Sequence, residues 1–184
     1  MRPATFMTTA LAAVVAMTIA APVAAPQSAA PQPAPTKAQI IAAARDIMTR
    51  ARYATLATIG ENGQPNARIM DPMVPDNDMT VWIGTNPMSR KVGEIRKNGR
   101  VTLLYFNTTR LEYATVTGIA DVVADKAEKA KHWKAEWSGF YKAGAKGDDF
   151  VLIRVRPARI EVLSPTHKIM NDPRTWRPAG VALP

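Results

Sequence analysis

The chain has 184 residues, which predicts one domain with a tail or two, and a formal net charge of +9 at pH 7. It has no cysteine and only two histidines, His132 and His167, which excludes disulfides, thiol catalysis and cysteine-ligated metals and argues against a histidine-based metal site. The positive charge favours anionic partners such as phosphates, nucleic acid or an acidic membrane surface, without choosing among them.

The first 25 residues have the pattern of a secretory signal peptide. Arg2 precedes an uncharged run whose apolar centre, residues 6–21, is shorter than the ~20 residues that span a bilayer. We therefore expect export, with the periplasm as the destination and no stable membrane anchor after signal removal. An uncleaved N-terminal anchor is the alternative. Residues 26–35, rich in Pro and Ala, predict a disordered linker.

Residues 36–164 predict a domain of short strands with flanking helices. Thr36 can cap a helix that runs to about Arg52. Asp125 can cap a second long helix with His132 exposed beside its buried face, which is predicted from residues at three- and four-residue steps: Ala130, Trp133, Trp137, Phe140 and Tyr141. The predicted strands are 53–59, 66–74, 79–84, 101–106, 111–123 and 150–156 with a continuation over 159–163. Gly118, in the middle of the strand 111–123, predicts a β-bulge or a close approach of the backbone. About six strands and three helices predict a small, mainly β barrel, and the tail 165–184 is expected to form loops.

The segment from residue 84 to residue 96 combines features of an anion-binding helix start. Ser89 can cap a helix whose first turn carries Arg90 and Lys91. Backbone N–H groups at a helix start carry partial positive charge, so cations in the same turn oppose the helix dipole. A bound phosphate would explain these cations, because it pairs with them and accepts bonds from the N–H groups. The alternative is an ordinary amphipathic helix whose basic residues face water.

A series of short motifs follows a distinctive order along the body of the chain. A strand at 54–58 and a Gly-rich turn precede Arg68-Ile69-Met70, and Thr85-Asn86-x-x-Ser89-Arg90-Lys91 comes next. This order resembles the pyridoxamine 5′-phosphate oxidase-like family of flavin-binding split barrels, in its general-stress-protein branch. The resemblance covers roughly residues 36–164 and implies a split β-barrel. It also implies a homodimer with FMN at the subunit interface.

The resemblance implies cofactor contacts at matching positions of this sequence. The residues are Arg68, Ile69, Met70, Gly84, Thr85, Ser89, Arg90, Lys91 and Tyr113. The first three would line the flavin, the glycine and the threonine would contact the ribityl chain and the phosphate, and the two cations after the serine would hold the phosphate. The tyrosine would reach the flavin of the other subunit. Deazaflavin or haem binding are variants within the family.

The function implied is that of an FMN-dependent oxidoreductase acting on a small molecule that the sequence does not identify. The alternative is a flavin-binding carrier or stress protein without turnover. A true pyridoxamine 5′-phosphate oxidase is not expected, because the Arg-containing C-terminal segment of those enzymes has no match here. No catalytic acid or base stands out. Arg154, Arg156 and Arg159 can form a basic patch with Lys142 and Lys146, but nucleic-acid binding is not favoured, because the aromatic residues have helix-core spacing.

Overall fold

A computed structural model describes residues 33–184, so the predicted signal peptide and most of the predicted linker lie outside the described residues. In chain order the helices and strands are α1 (Lys37–Ala51), β1 (Ala54–Ile59), β2 (Pro65–Met70), β3 (Val81–Thr85), α2 (Arg90–Lys97), β4 (Arg100–Asn107), β5 (Glu112–Val123), α3 (Lys126–Lys131), β6 (Val151–Leu163) and β7 (Ala179–Ala182), with a 3₁₀ helix at Ala135–Gly139. The predicted mainly β fold with flanking helices is confirmed.

The described strands form one antiparallel sheet in the order β2-β1-β4-β5-β6-β3. β6 pairs with β5 along most of its length, and its other edge pairs first with β3 and then with β7. The sequence predicted about six strands, and the structure adds β7 within the predicted loop tail. β7 forms because residues 179–182 lie against the second half of β6, where they complete its backbone hydrogen bonds.

One face of the sheet carries the main hydrophobic core. Leu56, Leu103, Val116 and Ile160 lie opposite one another across four neighbouring strands, and all four are fully buried. α1 covers this inner face with its own buried stripe, centred on Ile47. Alternation along each strand therefore leaves the intervening residues on the opposite, outer face of the sheet.

The helix predicted from Thr36 is confirmed as α1. The Thr36 side chain accepts a hydrogen bond from the backbone N–H of Gln39, and the Gln39 side chain accepts one from the backbone N–H of Thr36. This capping box satisfies two donors that a helix start otherwise leaves free. The irregularity predicted at Gly118 is also confirmed, because the register of β5 against β6 shifts between Thr117 and Gly118. A Cβ at Gly118 would collide with the backbone carbonyl oxygen of Arg156.

The second long helix predicted after Asp125 is wrong. Asp125 does cap a helix, but α3 ends at Lys131, and the chain at Lys134 is extended before the short 3₁₀ helix begins. The Lys134 ammonium explains the break, because it reaches across to the Asp71 carboxylate at 2.9 Å and to the Pro72 carbonyl oxygen at 3.0 Å. These bonds tie the segment to the loop between β2 and β3 and favour an extended backbone at this point.

Two side chains of that segment also differ from expectation. His132 is 5 % exposed and stacks on Trp82, with the ring centroids 3.9 Å apart. Phe140, whose spacing predicted a buried position, is 79 % exposed. The difference follows from the broken helix, because the regular three- and four-residue spacing no longer places these side chains on one face.

Candidate anion-binding site

The β1–β2 hairpin brings polar side chains to the inner face beside the core. Arg68 lies opposite Leu56, and Asn66 lies opposite Thr58, so the two β2 side chains point to the same face as the buried row. Arg68 therefore places a charged side chain at the end of this row of buried apolar side chains. A guanidinium in this position needs acceptors within the protein or on a ligand, because burying an unpaired charge is costly.

Glu94, on α2, supplies the main acceptor for this group of side chains. Its Oε2 accepts hydrogen bonds from Thr58 Oγ1 at 2.5 Å and from Arg68 Nη2 at 3.0 Å, and its Oε1 accepts one from Asn66 Nδ2 at 2.7 Å. The residue is 5 % exposed. Burial alone would raise the pKa of the Glu94 carboxyl, but the hydrogen bonds from Thr58 and Arg68 outweigh it and hold the pKa below its ordinary value. Glu94 is therefore a buried, ionised carboxylate.

Arg68 donates hydrogen bonds from both terminal nitrogens. Its Nη2 binds Glu94, while its Nη1 donates to Thr58 Oγ1 at 2.5 Å and to the Leu56 carbonyl oxygen at 3.4 Å. Arg68 lies near Lys91 and shares the Glu94 carboxylate with Arg90, and these three residues form the cation cluster. The protein itself already satisfies most of the N–H donors of Arg68.

Lys91 is the cation in the cluster without a carboxylate partner among the described residues. Its ammonium donates to Thr85 Oγ1 at 2.9 Å, and the side chain is half-buried. Burial and repulsion from Arg68 hold the pKa of Lys91 below its ordinary value, although the Glu94 carboxylate acts in the opposite direction. Lys91 is thus a partly desolvated cation whose only acceptor within residues 33–184 is a neutral hydroxyl.

The start of α2 completes the cluster. Ser89 is the N-cap residue, but its side chain makes no capping bond and instead lies 3.4 Å from the Thr85 hydroxyl. Within the part of the chain that the structure describes, no acceptor bonds to the backbone N–H of Arg90 or Lys91. The Arg90 side chain is 71 % exposed and only its Nε approaches Glu94, at 3.3 Å. Free backbone donors and two cations therefore converge at this helix end.

The structure also separates the predicted site residues into two groups. Thr85, Ser89, Arg90 and Lys91 lie together with Arg68 at the start of α2, and Met70 points to the same inner face, where it packs against the core. Ile69 points to the outer face and is 66 % exposed.

Tyr113 also lies on the outer face, opposite Phe106 and three strands away from Ile69 in the sheet. Within one chain Tyr113 therefore does not join the cation cluster.

Gly84 has a packing reason to be glycine. A Cβ built on it would lie 2.7 Å from Cη2 and Cζ3 of Trp137. Trp137 belongs to a second, smaller core with Trp82, Phe150 and Leu152. Spacing in the sequence indicated that Trp137 was buried but did not indicate that it touches a predicted site residue.

Sequence reasoning also missed Glu94, Thr58 and Asn66 as parts of the cluster. A signal for Glu94 was present, because it follows Arg90 by four residues and Lys91 by three, which places it on the same side of a helix. No local signal marked Thr58 and Asn66, since only the hairpin register brings them to Glu94. Among residues 33–184 no group of acidic and histidine side chains is arranged to hold a metal ion, and no helix is long and apolar enough to cross a membrane.

Comparisons with known proteins identify a matching sequence family and similar solved structures. The sequence model of the family described as pyridoxamine 5′-phosphate oxidase matches residues 40–164. A comparison with curated protein sequences found no match.

Solved structures are similar in fold. A Clostridium acetobutylicum protein related to general stress protein 26 has a TM-score of 0.66 at 18 % identity, over 80 % of this chain and 96 % of that one. An FMN-binding, pyridoxamine 5′-phosphate oxidase-related protein from Nostoc punctiforme has a TM-score of 0.55 at 16 % identity, over 80 % and 94 % of the two chains. A structure named F420 reductase has a TM-score of 0.51 at 22 % identity, over 63 % and 94 %. With the family match spanning more than half of its length, the chain belongs to the pyridoxamine 5′-phosphate oxidase family, and its barrel is the split barrel of that family.

Proposed function

We propose that this chain binds FMN and holds the phosphate of that cofactor at the start of α2. The observation that carries the proposal is the surroundings of Lys91, a half-buried ammonium bonded to the neutral hydroxyl of Thr85 and placed beside backbone N–H groups that lack an acceptor among the described residues. Buried donors and cations need partners. A phosphate supplies both the acceptor oxygens and the negative charge.

The charge of the cluster supports the same ligand. Arg68, Arg90 and Lys91 contribute three positive charges and Glu94 one negative charge, which leaves two positive charges. A phosphate monoester carries close to two negative charges at neutral pH. A dianion therefore balances the cluster, whereas a ligand without a phosphate leaves it with unbalanced charge.

Family membership and the structural similarity to an FMN-binding protein and to an F420 reductase support a flavin-type cofactor. We propose FMN, with a deazaflavin or haem as alternatives. The absorbance spectrum of the purified protein tests this choice, because the three chromophores absorb differently. A fluorescence titration with FMN and with riboflavin, which lacks the phosphate, then tests the role of the cation cluster. Equal affinity for the two flavins would contradict it.

We further propose that the loaded protein is an oxidoreductase. A bound flavin supplies hydride transfer, and the protein supplies binding, orientation and the electrostatic surroundings. In this chain Lys91, Arg90 and the N–H groups of α2 would hold the phosphate, while the Arg68–Glu94 pair would keep the adjoining strand and helix in register. Stopped-flow mixing of the FMN-loaded protein with NADH or NADPH tests turnover, since reduction bleaches the flavin band.

The second candidate is a flavin carrier or stress protein without turnover. One observation favours it: Glu94, the carboxylate within the cluster, is bonded to Thr58, Asn66 and Arg68 and is thus committed to structure. No other acidic side chain bonds to the described cluster residues. An unchanged flavin spectrum with both nicotinamide donors would support this candidate over an oxidoreductase.

We propose that two copies of the chain pair through the outer face of the sheet. Ile69 is 66 % and Phe106 50 % exposed on this face, where Leu104 and Ile119 are also exposed. Exposed apolar side chains in one area are typical of protein interfaces. Tyr113 lies on the same face, so a second copy would give it a route to the cofactor of its partner. Sedimentation of the protein and of Phe106→Asp tests this, and a wild-type monomer would contradict it.

We also propose that the protein is exported and receives its flavin afterwards. The support is the basic start, short apolar run and small residues of positions 1–25. An unfolded chain in transit has no assembled site to carry a cofactor. Fractionation of cells that produce the full chain tests the destination, and retention of the uncleaved protein in the cytoplasm would contradict it.

A further inference from the structure

Glu94 differs from the other members of the cluster because it has the same charge as the proposed ligand. Its carboxylate receives hydrogen bonds from Thr58, Asn66 and Arg68, and the Nε of Arg90 lies 3.3 Å away. Two of these four donors are cations. The carboxylate is therefore bonded to cations that we assign to the neighbourhood of a phosphate.

We propose that Glu94 is an internal anion that offsets part of the positive charge of the cation cluster when no ligand is bound and opposes the phosphate when one binds. The proposal rests on the function proposed above. Without ligand, Glu94 balances Arg68, which lies beside the hydrophobic core, and lessens its repulsion of Lys91. With ligand, the carboxylate and the phosphate share one set of cations and repel each other. Glu94 thus stabilises the empty protein and limits its affinity for phosphate-bearing ligands.

A merely structural carboxylate would behave differently. If Glu94 served only to hold Arg68 in place, every change at this position would weaken the binding of all flavins together with the fold. An internal anion predicts opposite signs for stability and affinity, because removing its charge harms the empty protein and favours the occupied one. The substitution Glu94→Gln separates the two, since the amide keeps the shape and an acceptor oxygen for Arg68 but removes the charge.

The test is a comparison of wild type, Glu94→Gln and Glu94→Ala with FMN and riboflavin. We expect Glu94→Gln to lower the melting temperature of the protein without ligand and to raise FMN affinity about tenfold, which is about 1.4 kcal/mol of relieved repulsion. Riboflavin affinity should stay within about twofold, because riboflavin carries no phosphate to repel. Glu94→Ala should lose the gain, since Arg68 is then no longer held. The matched control is Glu61→Gln, an exposed carboxylate that pairs with Lys97 away from the cluster.

The outcomes are distinct. An FMN-to-riboflavin affinity ratio that is unchanged or lower in Glu94→Gln overturns the internal-anion proposal and leaves FMN binding intact. If wild type binds neither flavin, the proposed function fails, and inorganic phosphate becomes the probe. The internal-anion proposal is still supported if phosphate raises the melting temperature of Glu94→Gln more than that of wild type. An equal or smaller rise overturns it. If Glu94→Gln folds poorly, recovery of its folding in phosphate but not in sodium chloride of equal ionic strength supports the internal-anion proposal. Recovery in both salts, or in neither, overturns the proposal.

Discussion

Replacing Lys91 with methionine tests the proposed phosphate site most directly. Methionine keeps an apolar stem of similar length and removes the ammonium that donates to Thr85 Oγ1 at 2.9 Å. A charge-assisted hydrogen bond contributes about 1.5–3 kcal/mol. We therefore expect FMN affinity to fall about 10- to 150-fold, while riboflavin affinity changes little.

The same substitution should not weaken the protein without ligand. Lys91 is half-buried, and its pKa is held below the ordinary value by burial and by repulsion from Arg68. Among the residues that the structure describes, the only acceptor for its ammonium is a hydroxyl. Removing this cation avoids the free-energy cost of desolvating it when the chain folds. The melting temperature of Lys91→Met without FMN should equal or exceed that of wild type, and a clear decrease would show that Lys91 has a structural partner.

Lys97→Met is the matched control for this experiment. Lys97 lies in the last turn of α2, is 65 % exposed and pairs with the exposed Glu61 outside the cluster. We expect its FMN affinity to equal that of wild type within about twofold, because exposed ion pairs contribute little. If Lys91→Met and Lys97→Met reduce FMN affinity equally, general charge attraction and not a phosphate site governs binding, and the assignment of Lys91 is refuted.

Three further predictions concern stability and pH. Hydrogen bonds hold the pKa of Glu94 below its ordinary value, so the stability that this carboxylate gives the fold should be complete above about pH 4.3 and lost as the pH falls through the lowered pKa. Urea unfolding below pH 5 should show this loss of stability for wild type and less of it for Glu94→Gln. FMN affinity should fall in alkali as the pH rises through the lowered pKa of Lys91, and Lys91→Met should lack this step in a titration series. Trp137→Ala should destabilise the fold by about 3–5 kcal/mol. Gly84→Ala should then lower the free energy of unfolding less in Trp137→Ala than in wild type, because the ring that its Cβ would meet is absent. Additive changes in the free energy of unfolding would contradict that contact.

Much of the fold followed from local patterns in the sequence. The capping residues of α1, the irregularity at Gly118 and most strand positions were predicted because each depends on neighbouring residues. The helix after Asp125 was predicted too long because the bonds from Lys134 to Asp71 and Pro72 span about sixty residues of sequence. β7 was missed for the same reason, since only its pairing with β6 gives this short segment of small residues a strand structure.

In the candidate site too, features that depend on adjacent residues were predicted and features that depend on distant residues were not. The cations at the start of α2 and Ser89 at its N-cap position were predicted from adjacent residues. Their counter-charge was not predicted, because Glu94 acquires its role only when the register of the β1–β2 hairpin places Thr58 and Arg68 against it. Ile69 and Arg68 are neighbours in the sequence, but the period of a strand sends them to opposite faces.

The contrast between Arg68 and Lys91 indicates how the cluster can be both stable without a ligand and ready for one. Arg68 lies beside the core and is paired with a buried carboxylate, so it holds β2 and α2 together whether or not an anion is present. Lys91 lies nearer the helix start and donates to a hydroxyl, so the free-energy cost of its desolvation is offset only when an anion binds. A site in which every cation were paired would gain little from a phosphate, and one in which none were paired would weaken the fold. Dividing the cations between the two roles gives the anion a specific gain in binding free energy at Lys91.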